Sequence, residues 1–157
     1  MIHLAQTTSH KIAGAKFTCA STGKLTRVAS ALSATSPSSA GSGWMAFGGI
    51  ADFTVPCASA GGSGMIVGGA NVMPKLNVRV WDLWAKGERD EAMRLQKVLS
   101  AADWALSKYA IAGTKAAIEE FSGYGGFPRR PLQRVSAEQR KAIRGRIEEA
   151  MAIEEKL

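Results

Sequence analysis

Histidine and cysteine are scarce in this chain, with two of each among 157 residues. His3 and His10 lie near the N-terminus, and neither Cys19 nor Cys57 has a second cysteine or a histidine at ligand spacing, so no zinc site is expected. Each cysteine sits in an apolar stretch, and the pair reads as two reduced, buried thiols of a cytosolic protein. No apolar run approaches the length of a membrane span, which argues against a membrane partner. The N-terminus shows neither the basic, apolar and small-residue order of a secretory signal nor an Arg-rich transit segment, so a cytoplasmic location is expected. Acidic side chains are missing from the first third: none precedes Asp52, against Lys11, Lys16, Lys24 and Arg27. A second basic run holds Arg129, Arg130, Arg134, Arg140, Lys141, Arg144 and Arg146, and the net charge is +7. That balance suits an anionic substrate. Aromatic residues do not interleave with the basic run, so no nucleic-acid partner is expected and the run reads as a solvated face.

What is present is an alternation of short apolar runs and helical patterns. Ala13 to Thr18 reads as a buried strand. Thr22 to Ala34 carries Leu25, Val28, Ala29 and Leu32 at helical spacing. A Ser/Gly/Pro loop over Thr35–Gly43 follows. Trp44 to Phe47 is a second strand, ended by Gly48-Gly49, and Ile50 to Ala60 is helical, with Pro56 as a disturbance. Met65 to Val67 is a third strand. Strand, helix, strand, helix, strand is the βαβ order of a parallel sheet, and the near-continuous apolar strands suit one covered on both faces.

From Asn71 the pattern turns to long helices. Asn71 reads as an N-cap for a helix with Val72, Leu76, Val80 and Trp84 on one face, closed by Gly87. Arg89 to Tyr109 places Ala92, Leu95, Leu99, Ala102 and Leu106 on one side. Gly113 is expected to break that helix, leaving a shorter one over Thr114–Phe121. Ser136 and Gln139 form a capping box for a last helix running towards Leu157.

Several motifs fail. Gly23-Lys24 lacks the earlier glycine of a phosphate loop, since Thr18 stands there, and Leu25 replaces the Ser/Thr. Gly62, Gly64 and Val67 miss a G-x-G-x-x-G pattern. No G-x-S-x-G occurs, and the strand ends offer no set of metal ligands. No metal and no other cofactor is expected. What remains is Lys16, near the end of the first strand between Ala15 and Phe17. Burying an ammonium is costly, and desolvation favours the neutral amine that attacks a keto carbon. A strand-end lysine can equally reach out to solvent.

The stretch KIAGAKFTCASTGKLTRVA resembles the segment of the dihydrodipicolinate synthase / N-acetylneuraminate lyase family that carries the Schiff-base lysine on barrel strand six. FGGIADFTVPCASAGGSGMIVGGANVMPKLNVRVWDLWAKGERDEAMRLQ is similar to strands seven and eight and the following helix, and WALSKYAIAGTKAAIEEFSGYGGFPRRPL to the family's C-terminal helical region. The 4-hydroxy-2-oxoglutarate aldolase branch, with its 2-keto-3-deoxy sugar acid aldolases, is the nearest in flavour. The resemblance implies an α/β fold: a partial (β/α)8 TIM barrel, about strands six to eight, over residues 1–86, then a C-terminal helical extension over 87–157.

The resemblance also implies a class I aldolase or lyase acting on pyruvate or another 2-keto acid. Lys16 would form the Schiff base, Gly48 would let substrate approach the backbone, and Ile66 would lie beside the bound pyruvate. The family's acid/base tyrosine (Y-N-x-P, strand five) and its Thr-Thr carboxylate cradle (near strand two) precede the matched stretches. Weak or no activity is therefore expected of this chain alone. The alternative is a non-catalytic remnant. Homo-oligomers, or association with a full-length relative, are the expected assemblies.

Overall fold

The computed structural model describes residues 1–8 and 11–157, so His10 lies outside it. Three parallel strands, β1 (Gly14–Phe17), β2 (Met45–Gly48) and β3 (Gly64–Met65), pair in the order β1-β2-β3. In register, Lys16 lies opposite Phe47, Phe17 opposite Gly48, and Gly48 opposite Met65. A short helix, α1 (Ile2–Thr7), precedes β1; α2 (Thr22–Ala31) joins β1 to β2, and α3 (Thr54–Ser59) joins β2 to β3. Four longer helices follow: α4 (Pro74–Lys86), α5 (Arg89–Ser107), α6 (Ala110–Ser122) and α7 (Ala137–Glu154).

Two cores hold these parts. One lies behind the sheet, where Phe17 and Ala46 pack against Leu25, Val28 and Ala29 of α2 and Cys57 of α3. The other is helical: Leu76, Val80 and Leu83 of α4 meet Leu95 and Leu99 of α5 and Ile143 and Ile147 of α7. The face expected of α5 is buried at all five positions. Val55 at the head of α3 and Val72 before α4 also enter the helical core, which ties the loops after β2 and β3 to the helices.

Most of the cap signals act as the sequence suggests. Ser136 and Gln139 make both bonds of the capping box. Gly87 ends α4 at φ +85, a left-handed conformation natural to glycine. Asn71 is not the cap of α4. Pro74 holds the first helical position, where its fixed φ suits the start, and Asn71 instead donates from Nδ2 to the Gly68 carbonyl at 3.0 Å within a 3-10 turn, Gly68–Asn71. The cap comes from the far end of the chain: the Glu154 carboxylate accepts from the backbone N–H groups of Lys75 (3.0 Å) and Leu76 (2.7 Å).

Other boundaries differ from the sequence pattern for physical reasons. The segment after β2 splits into a 3-10 turn, Ala51–Phe53, and α3. Pro56 falls in the first turn of α3, where its missing N–H is not needed, so it does not disturb the helix. β3 is two residues long, and Ile66 lies just beyond it, although its N–H still donates to the Gly48 carbonyl at 2.9 Å. Gly113 does not break a helix. The break comes at Lys108–Tyr109, where Ala110 takes φ +47, and Gly113 lies inside α6 because a Cβ there would stand 2.8 Å from the Leu106 carbonyl oxygen. Of the two cysteines only Cys57 is buried; Cys19, just past β1, is exposed.

Candidate active site

The C-terminal edge of a parallel sheet is where strand-to-helix loops converge and where α/β proteins build sites. Here that edge carries Lys16-Phe17, Gly48-Gly49 and Met65-Ile66. Side chains alternate along a strand. Phe17 and Ala46 point into the core behind the sheet, which leaves Lys16, Met45 and Phe47 on the opposite face, with Ile66 at its rim. That face is uncovered: Met45 is 38% and Ile66 48% exposed, and Lys16 is exposed too. The desolvation expected around Lys16 is therefore not supplied by the described residues. Lys16 makes no ion pair among the described residues.

Gly48 has a packing reason. A Cβ there would come within 2.6 Å of the Met65 thioether and 3.1 Å of the Cys57 sulfur, on the covered side of the sheet. At Gly49 a Cβ would meet the Thr18 hydroxyl at 2.5 Å, so the glycine pair lets the ends of β1 and β2 close together. The Cys57 thiol, buried beside this pair, is pushed up to about 11 by loss of water, which keeps it protonated and inert.

Two polar groups that sequence reasoning does not single out fix the loop after β2. Asp103 of α5, 3% exposed, accepts from the N–H of Ala51 at 3.1 Å and of Asp52 at 3.4 Å. Burial raises its carboxyl above the usual aspartate range, and the nearby Asp52 charge adds to the rise; the two backbone N–H groups oppose it. Burial also raises Asp52. Gln96, two turns of helix away, accepts from Val55 N–H at 2.8 Å and donates to the Ala51 and Asp52 carbonyls, both at 3.2 Å. A visible signal exists: Gln96 and Asp103 are polar residues adjoining the apolar stripe of Leu99 and Leu106, where a polar group needs a partner.

Between the strand ends and the junction of α5 and α6 lies an open cleft of about 470 Å³, lined among others by Gly68, Asn71, Asp103, Thr114 and Lys115. Gly69 allows its floor, since a Cβ there would stand 2.7 Å from Asp103 Oδ1. Among the described residues no group of three or more His, Cys, Asp or Glu could hold a metal ion. Among them, too, no helix is long and apolar enough to cross a membrane. The basic run near the C-terminus is partly neutralised: Arg140 pairs with Glu119 at 2.5 Å, Arg144 pairs with Glu120, and Arg134 stacks on the Phe127 ring.

The sequence matches the dihydrodipicolinate synthetase family over residues 3–150. The chain belongs to that family. It is 60% identical over 158 residues to the L-threo-3-deoxy-hexylosonate aldolase of Hypocrea jecorina, covering 100% of this chain and 49% of the relative. It is 36% identical to a protein of Emericella nidulans named probable 4-hydroxy-2-oxoglutarate aldolase, mitochondrial, covering 98% and 47%. Among solved structures, a dihydrodipicolinate synthase family protein from Coccidioides immitis is 35% identical with a TM-score of 0.71, covering 92% of this chain and 47% of that one. The 2-keto-3-deoxygluconate aldolase of Sulfolobus, solved with D-KDPG, matches at a TM-score of 0.79 and 19% identity, covering 97% and 49%, a likeness of fold alone. The chain thus spans about half the length of the curated relatives it matches. Its sheet and helices are part of a TIM barrel, as the resemblance implies: a partial parallel sheet followed by helices.

Proposed function

We propose that this chain carries the Schiff-base part of an aldolase that cleaves or forms 2-keto-3-deoxy acids, with pyruvate as one product or substrate. The supporting observation is the placement of Lys16 at the C-terminal edge of the parallel sheet, on the face of Phe47 and beside Ile66, in a family whose relatives bear aldolase names. The neutral Lys16 amine adds to the keto carbon. Loss of water gives the imine, whose protonated nitrogen accepts the electron pair as the C3–C4 bond breaks and the C4 hydroxyl gives up its proton to a base. The aldehyde leaves, and protonation of the enamine and hydrolysis return pyruvate and the free lysine. In this reading Gly48 and Ile66 border the keto acid.

The chain alone is weakly active or inactive. Lys16 is exposed to water, and the proton relay and carboxylate cradle implied by the family resemblance lie outside the matched stretches. Covering the Met45–Phe47–Ile66 face with the rest of a barrel would dry the site and favour the neutral amine. Borohydride trapping with pyruvate tests this. A reduced adduct on Lys16 is expected when the chain is co-expressed with the N-terminal half of the Hypocrea aldolase, and little when it is alone. An unmodified Lys16 in the completed assembly sinks the reading.

The exposed Trp104, Ile111, Tyr124 and Phe127 of the helical region favour a second reading, a non-catalytic partner that binds a full-length relative. Co-purification with such a relative, with no adduct in any combination, would select it. A cytoplasmic location belongs to the proposal; the mitochondrial name of the Emericella relative is its rival, and cell fractionation separates them.

A further inference from the structure

We propose that Ser38 is a phosphorylation site and that Arg89 receives its phosphoryl group, which then bridges the loop before β2 to the α4–α5 turn. The proposal is independent of the Schiff-base reading. The loop enters β2 at its N-terminal end, and Lys16 stands at the opposite edge of the sheet.

The loop presents this serine outward from a fixed base. Ser36 N–H donates to the Ser39 carbonyl at 2.8 Å, and Ser39 N–H donates to the Ser36 carbonyl at 3.1 Å. Pro37 and Ser38 lie between them at the tip, and both are exposed. Below the tip, the Thr35 hydroxyl donates to the Ala40 carbonyl and the Ser42 hydroxyl to the Leu32 carbonyl, both at 2.7 Å. The Ser63 hydroxyl donates to the Thr35 carbonyl, which ties the loop to the segment before β3.

Arg89 is held ready on the other side. Its guanidinium lies 3.7 Å from the centre of the Trp84 ring, and Nη1 donates to the Trp84 carbonyl. Arg89 makes no ion pair among the described residues, so its charge is unpaired there. An open cleft of about 450 Å³ is lined by Pro37, Ser38, Ser59, Trp84 and Arg89, among others, and no carboxylate belongs to the lining. Glu88 and Asp90 flank Arg89 in the chain but stay out of it. Among the described residues no hydrogen bond or ion pair joins residues 35–43 to α4 or α5, so the seam is unbridged in the unmodified chain. A phosphoserine carries a charge of about −1.5 to −2 and strong acceptor oxygens, which match a stacked, unpaired guanidinium. The transfer forms the bond from Ser38 Oγ to phosphorus and breaks the bond from the γ-phosphorus of a nucleoside triphosphate to its bridging oxygen. The diphosphate leaves, and the hydroxyl proton passes to the base of a protein kinase.

Two measurements test this. Phosphopeptide mapping of the protein isolated from its own cells should find phosphate on Ser38. Its absence there, or its presence on Ser36 or Ser39 instead, overturns the modification. The full chain made with phosphoserine at position 38 then tests the bridge. Its phosphorus resonance should titrate below the ordinary second phosphate value of about 6, because the cation favours the dianion. Amide exchange at Ser36, Ser39 and Ser42 should slow about tenfold against the unmodified chain, the scale of a charge-assisted contact. Arg89→Gln, at an exposed position, should return both readouts to those of an unbridged loop, and Arg89→Lys should restore them only in part. An ordinary titration, or readouts indifferent to Arg89→Gln, overturns the bridge.

Discussion

Asp103 illustrates what one buried polar side chain does for the loop above a sheet. Its carboxylate takes the N–H of Ala51, a fully buried residue, and of Asp52. Asp103→Ala would strand these donors and should cost about 2 kcal/mol at pH 7, measured by urea unfolding. Asp103→Asn keeps one acceptor and should cost less, but it removes a titration. The folded carboxyl is raised, so the native state holds its proton more tightly than the unfolded chain does. The stability that this proton brings is present below the ordinary aspartate value and is lost as pH rises to the raised folded one. Wild type should therefore gain on Asp103→Asn as pH falls through that window, and a constant difference would refute the linkage. The thiols give a second check at this scale. Cys19 is exposed and should react with iodoacetamide in the native protein, while Cys57, buried and pushed up to about 11, should react only on unfolding. Equal labelling of both would contradict the packing. Lys16 is legible in the sequence as an unusual charge in an apolar run. The exposure of Cys19 is not, because burial of a residue just past a strand end depends on elements far away in the chain.

At the level of elements, two glycines in helices separate local propensity from packing. Gly145 sits on the exposed side of α7 with no atom near the position a Cβ would take, so Gly145→Ala should stabilise by up to about 1 kcal/mol through helix propensity. Gly113→Ala gains the same propensity but drives a methyl to 2.8 Å from the Leu106 carbonyl oxygen and from Tyr109 Cβ. Overpacking of that kind costs about 1–3 kcal/mol, enough to outweigh the gain, so thermal unfolding should show opposite signs for the two variants. If Gly113→Ala also stabilised, the α5–α6 junction would be looser than described. The same pair explains what is legible. The capping box at Ser136, the glycine stop at Gly87 and the buried stripe of α5 follow from neighbours within one or two turns, and all three are visible in the sequence. Gly113 resembles a breaker because glycine means either a break or a close approach, and only the folded packing distinguishes them. Asn71 resembles a cap because its residue type fits, whereas the cap of α4 is Glu154, far along the sequence.

For the molecule as a whole, the decisive feature is a sheet covered on one face only. The core behind it is closed by α2 and α3, yet Met45, Phe47 and Ile66 look outward, and β1 and β3 each keep an edge unpaired among the described residues. An apolar face bordered by free strand edges favours association. The strand order and the continuous apolar runs make a two-sided sheet legible in the sequence; what covers the second face is not, because an apolar strand pattern marks a face for burial without naming its partner. Self-association of the lone chain and completion by a barrel half should then compete for one surface. Light scattering should show the chain alone as oligomers, and a 1:1 complex when the N-terminal half of the Hypocrea aldolase is co-expressed. Ile66→Glu places a charge on that surface at a residue already 48% exposed, so the fold of the lone chain should survive. The variant should become more monomeric by itself and yet lose the 1:1 complex, because the carboxylate would be buried without a partner on docking. A variant that stays oligomeric alone, or that still forms the complex as tightly as wild type, would place the association surface elsewhere, with the exposed Trp104 and Ile111 of the helical region as the next to test.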